Sequence, residues 1–261
     1  MIKVVVSGAL GRMGTQVIAA VDGAADMQLV AGFDPFAKEG TTVGQVGVPV
    51  YTVLADALAA GQPDVLVDFS RPDAAEANLR AALAAGVNCV LGTTGLSEEK
   101  LQQIYDESAT GGAALFCAPN FTTGAVLMME FAKAAAPYFP EAEVIEMHHC
   151  NKKDAPSGTA TRTAQIINEA RGRVSAAPGK ETEIEGADGA RGALIEGVPV
   201  HSVRSMGFVA SQEVIFGSMG QTLTIRHDSW DRGSYMPGVL LGIRNVGERS
   251  GLIVGLENFM D

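Results

Sequence analysis

Two histidines and two lysines crowd into one segment of the chain, Glu146-Met147-His148-His149-Cys150-Asn151-Lys152-Lys153-Asp154-Ala155-Pro156-Ser157-Gly158-Thr159. The chain as a whole carries a net charge of −11, so an anionic ligand would need cations gathered locally, and here they gather. An imidazole exchanges a proton near neutral pH, and an ammonium donates one or offsets negative charge as it develops. Pro156, Ser157, Gly158 and Thr159 read as a helix start, whose exposed N–H groups make an anion site. Together these groups suit a small substrate that bears carboxylates. A metal fits less well. Adjacent His148 and His149 lack the spacing of a tetrahedral site, Cys150 is a single thiol, and no nearby Cys or His completes a set. No metal site is expected; a solvated basic loop is the plain alternative for the segment. His201 and His227 each stand alone in a strand-like run and are expected to be hydrogen-bonded structural residues. Cys89 and Cys117 lie in or at the end of apolar strands and are expected to be inert core residues.

A second constellation lies at the N-terminus. Gly8-Ala9-Leu10-Gly11-Arg12-Met13-Gly14 reads G-x-x-G-x-x-G, looser than G-x-G-x-x-G. It falls between an apolar run at 2–7 and a helical pattern, so its glycines would let a pyrophosphate approach a helix N-terminus. Asp34 ends the next strand-like run, 20 residues beyond Gly14, where a carboxylate accepts hydrogen bonds from a ribose. That favours NAD, but Arg12 and Lys38 could each pair with a 2′-phosphate, so NADH and NADPH both stay open. Gly92-Thr93-Thr94-Gly95 and Ala118-Pro119-Asn120-Phe121 follow strand-like runs and could line the nicotinamide end of the cofactor; ordinary polar turns are the alternative for both.

These residues need an α/β framework to position them. Strands are expected at 2–7, 28–33, 64–69, 87–91 and 113–117, alternating with helices at 12–21, 72–85 and 97–108. Ser97 caps the last of these helices, with Glu98 and Glu99 in its first turn. Such alternation implies a parallel sheet covered on both faces, a Rossmann-type domain. After about residue 120 the pattern changes. Helices are expected near 123–136 and 159–171, a strand at 143–148, a long loop over 172–197, and strands near 198–204, 212–217 and 221–227. Consecutive strands suggest a second α+β domain with a mixed or antiparallel sheet. A helix over 233–248 and a strand at 252–256 would return to the first domain. The expected division is therefore a dinucleotide-binding domain at 1–119, completed by about 229–261, and a second domain at 120–228.

Composition narrows the function classes. The 261 residues are 47% apolar and 19% charged, enough for a sizeable core and too apolar for wholesale disorder. The isoelectric point is about 4.8 and no basic run occurs, so neither nucleic acid nor an anionic membrane surface is an expected partner. Three cysteines without a Cys-x-x-Cys spacing argue against a disulfide framework and for a reducing cytoplasm. The N-terminus starts directly as a strand with no signal-peptide pattern, and no run of 18 apolar residues predicts a membrane span.

The stretch His148-His149-x-x-Lys152-x-Asp154-Ala155-Pro156-Ser157-Gly158-Thr159 closely resembles the signature of the 4-hydroxy-tetrahydrodipicolinate reductase (dihydrodipicolinate reductase) family of the diaminopimelate route to lysine. The resemblance extends along the chain. It takes in Val6-Ser7-Gly8 through Gly14, Val67-Asp68-Phe69-Ser70, the loops at 92–95 and 118–121, His201-Ser202-Val203-Arg204 and Glu213-Val214-Ile215-Phe216. Cys150, Asn151 and Lys153 depart from the family pattern between the signature positions. The resemblance implies an NAD(P)H-dependent oxidoreductase that reduces a cyclic dicarboxylate and releases water. It implies His148 as proton donor and acceptor, Lys152 as proton donor, and His149 with the Gly158 and Thr159 amides as holders of substrate carboxylates. It also implies a cytoplasmic homotetramer joined through the sheet of the second, substrate-binding domain. Another Rossmann-type reductase of a small carboxylate, such as an amino-acid dehydrogenase, would share the glycine loop without needing the long signature. A non-catalytic dinucleotide-binding redox sensor would not need an acid beside an anion cradle.

Overall fold

Val4, Val5 and Val6 are fully buried, as a β-branched run must be when a sheet is covered on both faces. They form the middle of β1 (Ile2–Ser7), the strand about which the first sheet is arranged. The computed structural model describes residues 1–172 and 186–260. The chain divides into two units, Met1–Thr123 with Arg232–Asp261, and Gly124–Asp231.

In the first unit, α1 (Arg12–Asp22) leads to β2 (Met27–Phe33), β3 (Thr42–Val43), β4 (Val48–Tyr51) and α2 (Leu54–Gly61). Then follow β5 (Val65–Asp68), α3 (Pro72–Ala84), β6 (Asn88–Leu91), α4 (Glu98–Ser108) and β7 (Ala114–Cys117). The sheet order is β13-β7-β6-β5-β1-β2-β4-β3, with β13 being Gly251–Val254. Every neighbouring pair is parallel except β3 with β4. The chain leaves β1 in one direction through β2 and in the other through β5. The switch point therefore lies between β1 and β5, where ligands of such sheets bind beyond the strand carboxyl ends. Ser97 caps α4 by accepting from the Lys100 N–H at 3.3 Å. The α/β alternation expected from the sequence is present. Unanticipated are β3, β4 and α2. Two strands of two and four residues, one containing Pro49, are too short to show an alternation, and the eight-residue helix is little more than two turns.

The second unit holds α5 (Thr123–Ala135), most of which belongs to it, β8 (Glu141–His148), α6 (Gly158–Arg171), β9 (Ala193–Ile195), β10 (Val198–Arg204), β11 (Ala210–Ser218) and β12 (Gln221–Ser229). Its sheet runs β12-β11-β8-β10-β9 and is mixed, with β8 and β10 parallel and the other pairs antiparallel. Met128 and Ala132 of α5 and Ala160, Ala164 and Ile167 of α6 pack on Val144, Val200, Val214 and Phe216 from one sheet face. The opposite face keeps Val203, Thr224 and Arg226 exposed, with Ile145, Glu213 and Ile215 half-buried. The expected loop at 172–197 needs correcting. Residues 173–185 lie outside the described residues, but Ala193–Ile195 is a strand. Glu196 and Gly197 both take positive φ, the two-residue turn that folds β9 back on β10. A glutamate in that turn is an uncommon signal, which is why the hairpin did not show. The helix expected at 233–248 is α7 (Met236–Val246) behind a 3-10 turn at Arg232–Tyr235, and it belongs to the first unit with β13.

Candidate active site

Side chains two apart on a strand share a face, so β8 sends Val144, Glu146 and His148 to the same side. Val144 is sealed in the core, Glu146 is fully buried, and His148, at the strand end, keeps 15% of its side chain accessible. The Glu146 carboxylate is surrounded by donors. Arg204 spans both its oxygens, Nη1 to Oε2 at 2.8 Å and Nη2 to Oε1 at 2.7 Å. The Ser157 N–H donates to Oε1 at 3.3 Å, and His148 Nδ1 lies in close contact with Oε2. Burial pushes the Glu146 carboxyl up, but its bonds from Arg204, Ser202 and His148 outweigh that and leave it below its ordinary range. His148 moves down. Burial is the largest cause, the positive charges of Lys152 and Arg204 add to it, and Glu146 only partly opposes them.

The chain turns after His148. Lys152 N–H donates to the His149 carbonyl at 3.1 Å, and Arg204 Nη2 ties the Asp154 carbonyl at 2.7 Å. His149 is exposed, and Lys152 Nζ rests on Asp154 Oδ1 at 2.8 Å. That ammonium holds the Asp154 carboxyl below its ordinary range. The helix start follows directly. Ser157 is the N-cap of α6, its hydroxyl accepting from the Ala160 N–H at 3.2 Å. Pro156 thus precedes the cap rather than standing in the first turn. With the Ser157 and Ala160 N–H groups engaged, the N–H groups of Gly158 and Thr159 at the helix start are left for a ligand, and the space above Gly158 is open. His148, His149, Lys152, Gly158 and Thr159 all belong to this one unit, within and after the end of β8.

In the first unit the glycine loop leaves β1. Gly8 has φ +75°, and a Cβ there would meet the Phe69 carbonyl oxygen at 2.6 Å. A Cβ on Gly14 would fall 2.0 Å from the Gly8 carbonyl oxygen. Both positions exclude a side chain because backbone passes so close, the requirement of a phosphate-binding turn. Gly11 is the N-cap of α1, and Arg12, Met13 and Gly14 begin the helix, where N–H groups have no partner in the preceding turn. Ala9 differs from expectation. It is buried, and the N–H groups of Gly8 and Ala9 both donate to the Phe33 carbonyl, at 2.9 and 3.1 Å. Leu10 is exposed, and its N–H donates to Asp34 Oδ2 at 3.2 Å, while Asp34 Oδ1 accepts from Phe36 N–H at 3.0 Å. Asp34 thus sits on the glycine loop and also holds it. Arg12 and Lys38 are exposed.

The other two loops follow β6 and β7. Gly92 packs under the Phe69 ring, with no room for a Cβ. Thr93 is buried, and its hydroxyl donates to Asp68 Oδ1 at 2.7 Å, so Thr93 reaches a ligand only through its backbone. Thr94 is exposed. In the second loop Ala118 and Phe121 are buried; the Phe121 ring packs against Phe69 at 5.9 Å and Phe116 at 5.7 Å. Asn120 accepts from the Thr122 N–H at 2.8 Å, and Pro119 is exposed. The fully buried Asp68 joins these loops. It accepts from the Ser70 N–H at 3.0 Å, the Ser70 hydroxyl at 2.7 Å, Asn78 Nδ2 at 2.8 Å and Thr93. Asn78 Nδ2 also approaches Ser7 Oγ at 3.1 Å, linking the ends of β1, β5 and β6.

Sequence reasoning passed over Glu146, Arg204 and Asp68 as site residues. The two-residue spacing of Glu146 from His148 is a strand signal that could have found it. Arg204 reaches the site through the pairing of β10 with β8, which places it opposite His148 and leaves no local trace. His201 bonds Glu143 Oε2 at 2.7 Å, whereas the His227 ring packs on Gly124 and has no hydrogen bond among the described residues. Burial pushes the Cys117 thiol up to about 11 and the sealed Cys89 thiol higher still, so both are unreactive. Cys150 is exposed.

Comparison with known proteins finds relatives along nearly the whole chain. Residues 2–121 match the family model for the dihydrodipicolinate reductase N-terminus, and residues 124–260 match that for its C-terminus. A 4-hydroxy-tetrahydrodipicolinate reductase of Listeria welshimeri is 48% identical over 264 residues, covering 99% of this chain and all of the relative. That of Enterococcus faecalis is 48% identical over 265 residues, with both chains covered completely. Among solved structures, a dipicolinate-bound dihydrodipicolinate reductase from Paenisporosarcina sp. TG-14 superposes with a TM-score of 0.87 at 41% identity, over 99% of each chain. The chain is an oxidoreductase that works with a pyridine nucleotide, and it belongs to the dihydrodipicolinate reductase family.

Proposed function

We propose that the protein reduces 4-hydroxy-tetrahydrodipicolinate to tetrahydrodipicolinate, with NADH or NADPH as donor and with loss of water, in the diaminopimelate route to lysine. The observation that carries the substrate class is that Glu146 joins His148 to the Ser157 N–H at the start of α6, with His149 and Lys152 in the connecting turn and the Gly158 and Thr159 N–H groups left for a carboxylate. A doubly charged heterocycle supplies the anions that such a cradle lacks. The names of the full-length relatives point to the same substrate.

A reduced pyridine nucleotide supplies hydride when bound. The residues present fit that cofactor. The Gly8 and Gly14 backbones leave no room for side chains, and the N–H groups of Arg12, Met13 and Gly14 open α1. Asp34 lies beside the loop to accept from a ribose, and exposed Arg12 and Lys38 are cations for a 2′-phosphate. The cofactor set is Gly8 through Met13, Asp34, Gly92, Thr93, Thr94 and the 118–121 loop, with Ala9, Thr93, Ala118 and Phe121 contributing through backbone or packing. His149 and the Gly158 and Thr159 N–H groups hold the substrate carboxylates. Hydride addition leaves one negative charge on the ring, quenched by one proton from Lys152 Nζ, while His148 takes a proton from the ring carbon and gives it to the hydroxyl that departs as water, exchanging it at Nε2 because its Nδ1 faces Glu146. The unpaired thiols accord with a reducing cytoplasm, and the open face of the second sheet accords with a homotetramer.

The test is steady-state oxidation of NADH and of NADPH, with substrate generated in situ by the synthase that precedes this step. Substrate-dependent loss of the reduced nucleotide's absorbance is expected with either nucleotide. No oxidation above the rate without enzyme would refute the assignment.

A further inference from the structure

The Glu146 carboxylate is a fully buried charge, and besides Ser202 it is met by four donor contacts from three parts of the fold. Two come from one guanidinium on β10, one from the backbone at the start of α6, and one from the imidazole two residues along β8. A carboxylate with both oxygens occupied by cationic and N–H donors stays ionised, and an ionised carboxylate only accepts. The ring nitrogen facing it must therefore carry the hydrogen.

We propose that Glu146 and Arg204 are the positioning residues of the proton-transferring imidazole. Glu146 fixes His148 as the Nδ1–H tautomer with Nε2 directed to the substrate, and Arg204 neutralises Glu146 so that this bond orients His148 without locking a proton onto it. The inference rests on the role of His148 in the proposed function. Its logic is electrostatic. A bare buried carboxylate against an imidazole would hold the ring protonated through the catalytic cycle, leaving a poor acceptor at Nε2. A carboxylate already bridged by a guanidinium supplies the orienting acceptor with much of its charge offset. Among the described residues, three charged groups act on His148. They are Glu146 on its own strand, Arg204 opposite it on β10, and Lys152 in the following turn, whose partner is Asp154. On β11 the residue opposite is Ala210, and at the start of α6 the Ser157 N–H shares the Glu146 carboxylate. Arg204 also binds the Asp154 carbonyl, so the same guanidinium that sets the charge of Glu146 anchors the turn carrying Lys152.

The two positioning residues should therefore shift His148 in opposite directions. Glu146→Gln leaves the Arg204 cation unopposed beside the ring, whereas Arg204→Leu leaves the carboxylate unopposed. Histidine-labelled protein has four histidines to assign. Titration of their ring resonances should place the apparent pKa of His148 about one unit lower in Glu146→Gln and about one unit higher in Arg204→Leu than in wild type. Arg204→Lys, which keeps the charge, should stay near wild type. Nitrogen-15 shifts of unmodified enzyme above the titration should show the Nδ1–H tautomer. In turnover, Glu146→Gln should lower kcat/KM by about ten- to a hundredfold with the NADH Kd unchanged. A residue that merely supports the fold would reduce activity without moving the two titrations apart. Shifts of the same sign, no shifts, or an Nε2–H tautomer in the wild type would each overturn the proposal. If a variant does not fold, the wild-type tautomer and Arg204→Lys still decide. The ring measurements need no substrate. Failure of the wild type to oxidise nucleotide would therefore sink the assigned reaction and leave this test standing.

Discussion

At the scale of single residues, the proposed reaction divides the proton work between Lys152 and His148. The Lys152–Asp154 ion pair has a half-exposed aspartate, and exposed pairs of this kind contribute little, so the ammonium is free to transfer to an arriving anion. Lys152→Ala should lower turnover by roughly 10²–10⁴-fold, the range of lost acid–base assistance, with the NADH Kd little changed. Turnover at the wild-type level would reject Lys152 as the acid. His148 begins below its ordinary pKa, so it is largely neutral in the free enzyme at neutral pH. A bound dianion favours the protonated form and raises that pKa, so binding draws in a proton. Calorimetry of pyridine-2,6-dicarboxylate binding in two buffers of different ionisation enthalpy should show uptake of up to about one proton per chain near pH 7. The uptake should fade as pH rises past the raised pKa; a buffer-independent heat at pH 7 would contradict it. Asp34 faces the glycine loop. Removing its charge in Asp34→Ala should shift the NADPH-to-NADH ratio of kcat/KM upward by about five- to tenfold, the worth of one solvated like-charge contact. Both absolute values should also fall, because Leu10 loses its acceptor. An unchanged ratio would mean that Asp34 does not read the ribose.

Elements turn these residues into sites. The start of α1 is usable only because Gly8 and Gly14 let backbone pass where a Cβ would stand. Gly14→Ala would place a methyl 2.0 Å from the Gly8 carbonyl oxygen, and the loop must open to admit it. We expect NADH affinity to drop by more than about tenfold, while dicarboxylate binding, which draws on β8 and α6 of the other unit, is retained. Fluorescence titration of NADH alongside calorimetry of the dicarboxylate separates the two; equal losses would show that the substitution unfolds the chain. The glycine spacing and the helix start at Ser157-Gly158-Thr159 were legible because caps and turns are written in neighbouring residues. The short β3 and β4 were not, because two to four residues hold too little periodicity to stand out. The β9–β10 hairpin stayed hidden because its turn uses Glu196 at positive φ.

On the scale of the whole molecule, the second sheet covers one face with α5 and α6 and leaves the other accessible, with Val203 and Ile215 among charged pairs such as Glu213–Arg226. An accessible face that mixes aliphatic and paired charged residues suits association between copies of a chain. Light scattering should give about four times the chain mass of 27.1 kDa. Ile215→Lys should lower that mass while the protein stays folded, because a cation would be buried in the shared face. A wild-type mass of one chain would end the tetramer assignment.

What the sequence by itself determined is local chemistry. The glycine loop, the anion-binding helix start, the α/β alternation and the His-His-Lys signature all lie in contiguous residues, and the family follows from them. Tertiary structure decided which groups govern that chemistry. Arg204 meets Glu146 and Asp154 only because β10 pairs with β8 across more than 50 positions, and Asp68 gathers Asn78 from α3 and Thr93 from the loop after β6. Hydrogen bonds of that kind depend on strand register and burial. Neither is encoded at any one position, so neither the place of Arg204 in the charge set around His148 nor the lock beneath the cofactor loops could be read before the chain was folded.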